Sequence, residues 1–227
     1  CLAISSGVYA QFTNTSSRSS STDVSNDGWS TIWVEYNPIK MKYDIKGQDD
    51  ESLTGFSAGY SQTFSLSQTL PIFIEAGLGL QYTNFSKSLS GYDDDYRSRS
   101  YYDDYDYDYD YDEDSELKFT MWSVKVPVSL LYNFAIPNSS ISLAPFVGAT
   151  MRYNVSGTIK KGGNKQDVFD KKDMGEAWNR FQIGWQVGLK ARFGQNFMAG
   201  VSYGSDFSEI DKKTKLQTTS ITIGYTF

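Results

Sequence analysis

The chain has no histidine and a single cysteine, Cys1, in 227 residues. Without an imidazole there is no Ser-His or Cys-His nucleophile pair, no His-ligated zinc or haem, and no imidazole switch near neutral pH. One cysteine rules out an internal disulfide and any Cys-x-x-Cys metal or redox site. An uninterrupted apolar run near 18 residues is also lacking, and mean hydropathy is −0.46. Both argue against a transmembrane helix, but neither bears on a membrane barrel, whose strands alternate. The net charge of −6 is local in origin: Tyr92 to Glu116 holds ten Asp and two Glu against two Arg, and the rest of the chain sums to +4. No basic face interleaved with aromatics appears, so nucleic acid is not an expected partner.

The first ten residues, CLAISSGVYA, are apolar to small and end in Val8-Tyr9-Ala10 before Gln11. They read as the remnant of a secretory signal peptide cleaved after Ala10. An alternative makes Cys1 the lipidated first residue of an exported lipoprotein. Residues 11–28 are dominated by Ser, Thr and Asn and read as a flexible periplasmic lead-in. The remainder, 29–227, reads as one β domain.

From Trp29 onward, period-two alternation rich in Tyr, Phe, Val, Ile and Thr recurs eight times, over roughly 30–45, 53–65, 72–88, 117–134, 141–159, 178–193, 197–209 and 216–227. Most of these stretches exceed the 9 to 11 residues that cross a bilayer at a tilt. Alternate connections are short, at Leu66 to Pro71, Ala135 to Ser140 and Gly194 to Asn196; the others are longer, above all the acidic loop 89–116. The expected fold is all-β: an eight-stranded antiparallel up-and-down transmembrane β-barrel with short periplasmic turns and longer extracellular loops. Along 181–193, Phe181, Ile183, Trp185, Val187 and Leu189 share one face, opposite Gln182, Gly184, Gln186, Gly188 and Lys190. Gly, Ser, Thr and Gln clothe a water-facing surface poorly but suit a narrow lumen, so the apolar face is expected outward, in lipid. A soluble secreted barrel or sandwich is the alternative. The chain closes Ile221-Thr222-Ile223-Gly224-Tyr225-Thr226-Phe227, in which Tyr225 and the terminal Phe227 resemble the last-strand signal read by barrel-assembly machinery.

The run Lys125-Val126-Pro127-Val128-Ser129-Leu130-Leu131-Tyr132-Asn133-Phe134, followed by Ala144-Pro145-Phe146-Val147-Gly148, resembles PorT-like outer-membrane β-barrel proteins, common in Bacteroidota. Phe181 to Leu189 and Val201-Ser202-Tyr203-Gly204 match that family's Gly-rich strands. The resemblance implies a small barrel of the porin family in the bacterial outer membrane and no particular activity. The Tyr/Asp insertion departs from the pattern.

Two groups of residues are candidate sites. Projected inward, Glu35, Glu75, Lys190 and Arg192 fall toward the periplasmic end, and Lys125, Arg152 and Asp206 fall higher, with opposite signs in each layer. In a narrow lumen they are expected to pair as an ionic plug, since an unpaired buried charge costs several kcal/mol; a selectivity filter is the alternative. Asn37-Pro38 predicts a bulge in the first strand, on which the inward placement of Glu35 depends. The second group is the run Asp104, Tyr105, Asp106, Tyr107, Asp108, Tyr109, Asp110, Tyr111 and Asp112. It reads either as a solvated loop or as a surface-binding loop for an unidentified extracellular partner, with weak Ca²⁺ binding as a further option. It lacks EF-hand spacing. No catalytic residue, cofactor or metal site is expected. The expected role is non-enzymatic, structural or in surface interaction, with outer-membrane lipid and lipopolysaccharide as surroundings; a small-solute diffusion channel is the alternative.

Overall fold

The computed structural model describes residues 28–44, 50–67, 69–88, 116–161, 164–174, 177–211 and 213–227. Residues 1–10, read above as a signal remnant, residues 11–27 of the segment read as a lead-in, and the Tyr/Asp run 104–112 lie outside the described residues. Eight long strands form a wall: β1 (Ser30–Tyr43), β2 (Glu51–Ser65), β3 (Ile72–Ser88), β4 (Glu116–Tyr132), β6 (Ile141–Lys161), β8 (Phe181–Phe193), β9 (Phe197–Asp206) and β10 (Thr214–Thr226). Two short strands, β5 (Phe134–Ala135) and β7 (Asn164–Asp167), pair with β6, and one helical turn, α1 (Lys171–Met174), follows β7. Each wall strand pairs antiparallel with the next, and β10 pairs with β1 to close the ring. The result is the eight-stranded up-and-down barrel that the alternation predicts. Closure leaves no wall edge to aggregate. At the short-turn rim, Asn138 (φ 59°) and Gly194 (φ 63°) adopt the left-handed conformation that these residue types tolerate best.

Residues of even number on β1 to β4 point outward through the middle of the wall. Ile32, Val34, Leu78, Leu80 and Leu130 are exposed there, as are Val187, Leu189, Ile221 and Ile223 on the other strands. Ile74, Val126 and Trp185 are likewise partly exposed, whereas their strand neighbours Glu75, Lys125 and Gly184 are buried. Toward the long-loop rim this pattern inverts. Ile39 and Met41 on β1, Leu53 on β2, Phe119 and Met121 on β4 and Leu216 on β10 turn inward and are buried, and their outward neighbours are Lys40, Lys42, Ser52, Lys118, Thr120 and Lys215.

This inversion corrects two expectations. The inner surface is not hydrophilic throughout: Val168 and Ile210 join the inward residues just named in an apolar cap, against which Phe169 and Trp178 pack. A smaller cluster of Trp29, Phe73, Leu131 and Ala144 closes the short-turn end, with the Trp29 and Phe73 rings 4.9 Å apart. Second, β1 has no bulge at Asn37-Pro38, because its register with β2 runs unbroken through both residues and its register with β10 is the same on either side. The change of apolar phase along β1 reflects a change in what lies outside the wall, not an inserted residue. The register shift lies instead between β4 and β6, where Trp122 pairs with Ser156 and Ser123 with Asn154, leaving Val155 as the extra residue. The strand expected from 178 starts at Phe181, since the Trp178 and Asn179 amides donate to the carbonyls of Val168 and Ile210 in the capping loops.

Candidate functional site

The interior between the two apolar clusters is built by the inward positions of all eight strands. Lys125 Nζ lies 2.6 Å from Glu35 Oε2 and donates to it, although 90 residues separate them. Lys190 Nζ donates to Glu75 Oε1 at 2.6 Å, and Arg152 is ion-paired with Asp206. In all three pairs both side chains are largely excluded from solvent.

Glu35 has the fullest set of donors. Ser57 Oγ donates to Oε2 at 2.8 Å and Thr222 Oγ1 to Oε1 at 3.3 Å. Asn37 Nδ2 donates to Ser57 Oγ at 2.8 Å and Ser220 Oγ to Asn37 Oδ1 at 2.6 Å, so one hydrogen-bonded chain ties β10, β1, β2 and β4 together. Satisfying a buried carboxylate in this way is what makes its burial tolerable. Gln186 Nε2 donates to Ser129 Oγ at 2.9 Å, linking β8 to β4 over Gly148 of the intervening β6.

The structure thus brings six of the seven predicted charges into pairs, but not in the predicted layers. Lys125, placed high with Arg152 and Asp206, reaches down to Glu35, leaving Arg152 with Asp206. Among the described residues Arg192 has no carboxylate partner and its Nε no hydrogen-bond partner; its guanidinium carbon stands 4.2 Å from the centroid of the Trp29 ring. A cation over an indole face gains part of what a carboxylate would supply. Lys125 and Lys190 also lie over rings, 5.7 Å from Trp33 and 5.1 Å from Phe146.

Sequence reasoning passed over Trp33, which shares the inward parity of Glu35 and is buried. Its indole fits because Gly59 and Gly79 face it; a Cβ on either would fall 2.5 Å from a ring carbon. Spaces of about 20 and 30 Å³ flank the ion pairs. Each holds water at most, since one probe sphere occupies about 10 to 15 Å³. A larger apolar cavity of about 150 Å³ opens at the long-loop mouth between Met41, Leu53, Phe85, Phe119 and Trp178.

At the other rim, Tyr225 and Phe227 both project outward. The Phe227 amide and carbonyl bond to Ser30 at 3.0 Å each, so the last residue is stitched to the first strand. Tyr225 meets Phe197 edge-on at 6.0 Å. Among the described residues no group of three or more Cys, Asp or Glu side chains is arranged to hold a metal ion.

No protein-family model and no curated protein sequence matches the chain, so the PorT-like resemblance stands on its motif residues alone. Solved structures with a similar course include Ail, the attachment invasion locus protein of Yersinia pestis, at 15% identity over 88% of this chain and 99% of that one, with a TM-score of 0.46. Neisserial surface protein A is similar at 14% identity, 87% and 95% coverage and a TM-score of 0.43. The outer membrane enzyme PagL is similar at 13%, 85% and 97%, with a TM-score of 0.44. The likeness is one of coarse barrel shape.

Proposed function

We propose that the chain is a bacterial outer-membrane β-barrel of PorT-like type that performs no catalysis: a closed, charge-plugged scaffold that holds its long loops outside the cell for surface interaction. One observation carries this reading. An exposed apolar belt encircles a wall whose inner side is ion-paired, the reverse of a water-soluble barrel. Ile223 is 62% exposed and Leu78 60%, while Gln182 and Asn154 are fully buried. Aliphatic belts of this extent are stable against hydrocarbon and are aggregation-prone in water. Tyr132 with Phe134, and Phe197 with Tyr225, then lie at the periplasmic interface, and Tyr82 with Trp122 toward the outer one, as aromatic girdles do. The exposed Tyr225 and Phe227 fit a role as the assembly signal.

Three buried ion pairs, water-sized spaces and an apolar cluster at each end favour a sealed lumen over a diffusion channel. The test is electrophoretic mobility of detergent-extracted membranes with and without boiling, together with planar-bilayer recording of the purified protein. A compact band that shifts on heating, and no steady single-channel conductance, are the expected results. Release into the soluble fraction would overturn the membrane assignment, and steady conductance would overturn the sealed lumen.

A further inference from the structure

Above the level at which the apolar residues change face, the outside of the wall presents lysine. Lys118 on β4 stands directly opposite Lys160 on β6, and Lys160 directly opposite Lys165 on β7. On the far side of the ring, Lys42 on β1 stands opposite Lys215 on β10. All five side chains are exposed. Two interstrand spacings bring the three lysine stems of the first row within about 10 Å.

Like charges directly opposite one another weaken a sheet, and barrel closure does not call for lysine at these outward positions. Asp167 lies two residues along β7 from Lys165, and its Oδ1 accepts the Phe169 amide at 2.9 Å. Lys118 and Asp167 have further contacts, so the feature is the row of cations and not one lone ammonium.

Height identifies what the row meets. Trp122 and Tyr36 form outward aromatic pairs with Tyr82 and Phe56, at 5.0 and 5.3 Å. Lys118 and Lys40 each lie four residues further toward the long loops, about 13 Å along a strand. With a strand tilt of about 40° that is roughly 10 Å higher. Aromatic girdles sit at the headgroup level of the bilayer. Cations a further step out lie above phospholipid phosphates and level with a phosphorylated sugar headgroup.

We propose that the Lys118, Lys160 and Lys165 row binds the phosphate groups of a phosphorylated glycolipid in the outer leaflet, an inference that rests on the membrane-spanning reading above. The ligand's acyl chains would lie along the exposed belt below, beside Trp122, Tyr153 and Val155.

The test uses the full chain purified in detergent and four probes: lipopolysaccharide, the same lipopolysaccharide dephosphorylated, phosphatidylglycerol and inorganic phosphate. Lipopolysaccharide should bind, more weakly in high salt, and the other three at least tenfold more weakly. A cation near an anionic surface contributes about fivefold, so replacing all three lysines by glutamine should weaken binding by roughly a hundredfold. The triple arginine variant should retain it. Equal binding of the dephosphorylated form or of phosphatidylglycerol, or unchanged binding by the glutamine variant, would overturn the proposal. The heat-shifted compact band separates the two levels of inference: its persistence alongside failed lipid binding refutes the lysine site alone, and its absence from the wild-type protein refutes the membrane barrel itself.

Discussion

Replacing Lys125 by methionine tests whether the lumen is held by matched charge or only filled. The substitution keeps the length of the aliphatic stem and removes the ammonium 2.6 Å from Glu35, whose side chain is only 12% exposed. Stripping one partner from a buried pair costs about 3–5 kcal/mol, because the other charge is left uncompensated. Ser57 and Thr222 still donate to Glu35 at 2.8 and 3.3 Å, so the lower end, about 3 kcal/mol, is expected. Glu35→Gln alone strands Lys125 and should cost a similar amount. The two together leave a neutral amide with its hydroxyl partners beside an apolar chain, and should cost no more than about 1–2 kcal/mol. The cycle therefore predicts a strongly non-additive double variant. Urea unfolding in detergent micelles, followed by tryptophan fluorescence, measures all four corners, and Trp33 reports locally because its ring lies 5.7 Å from Lys125 Nζ. If each single variant costs under about 1 kcal/mol, or the double equals their sum, the pair is not the matched charge described here.

Two other substitutions discriminate within the same interior. Arg192→Met should cost no more than about 1–2 kcal/mol, the worth of its contact with Trp29, whereas Lys190→Met strands Glu75 and should cost about 3–5 kcal/mol by the same assay; equal losses would show that Arg192 has an ionic partner after all. Gly79→Val drives a side chain into the Trp33 indole, where a Cβ already falls 2.5 Å from the ring. The expected loss is about 1–3 kcal/mol from overpacking, and combining it with Trp33→Leu should recover part of that loss. An additive double variant would place the fault in the β2–β3 backbone instead.

The wall was legible in the sequence because long strands with one solvent on each side write a strict period-two pattern. All eight wall strands fall within a few residues of their predicted ranges. The sharpest error is instructive. Ile32, Val34 and Tyr36 occupy even positions of β1, Ile39 and Met41 odd ones, and a phase change of that kind in a single strand is what a bulge produces. Several strands change phase toward the same rim, however: Leu53 against Phe56 on β2, Phe85 against Tyr82 on β3, Met121 against Trp122 on β4, and Leu216 against Ile221 on β10. Independent bulges would not line up in this way; a boundary between lipid and water outside the barrel would. Comparing the strands with one another, instead of reading each alone, was the signal that could have found the apolar cap. Charge pairing was legible only as far as charge balance. The seven charges predicted to face inward are three acids and four bases, but which base meets which acid depends on side-chain reach across a ring of strands, and spacing along the chain does not encode that. Arg192 fell outside the pairing because the count leaves one cation over, and Trp29, which receives it, precedes the first strand.

The same phase change explains why strands longer than a membrane requires are useful here. β6 has 21 residues, about twice what a tilted crossing needs, and the excess stands above the aromatic girdle as a barrel facing water on its outside. That segment must be apolar within and polar without, like any soluble barrel, and the buried Ile39, Met41, Phe119 and Leu216 satisfy the first condition as Lys40, Lys42, Lys118 and Lys215 satisfy the second. Once capped in this way, the ion pairs below are shielded from bulk water and salt, which is the condition under which a buried pair is costly to break. On the proposal that the lumen is sealed at both ends, the protein's contacts with the cell and its surroundings fall to its outer face: the exposed apolar belt and the lysine rows above it.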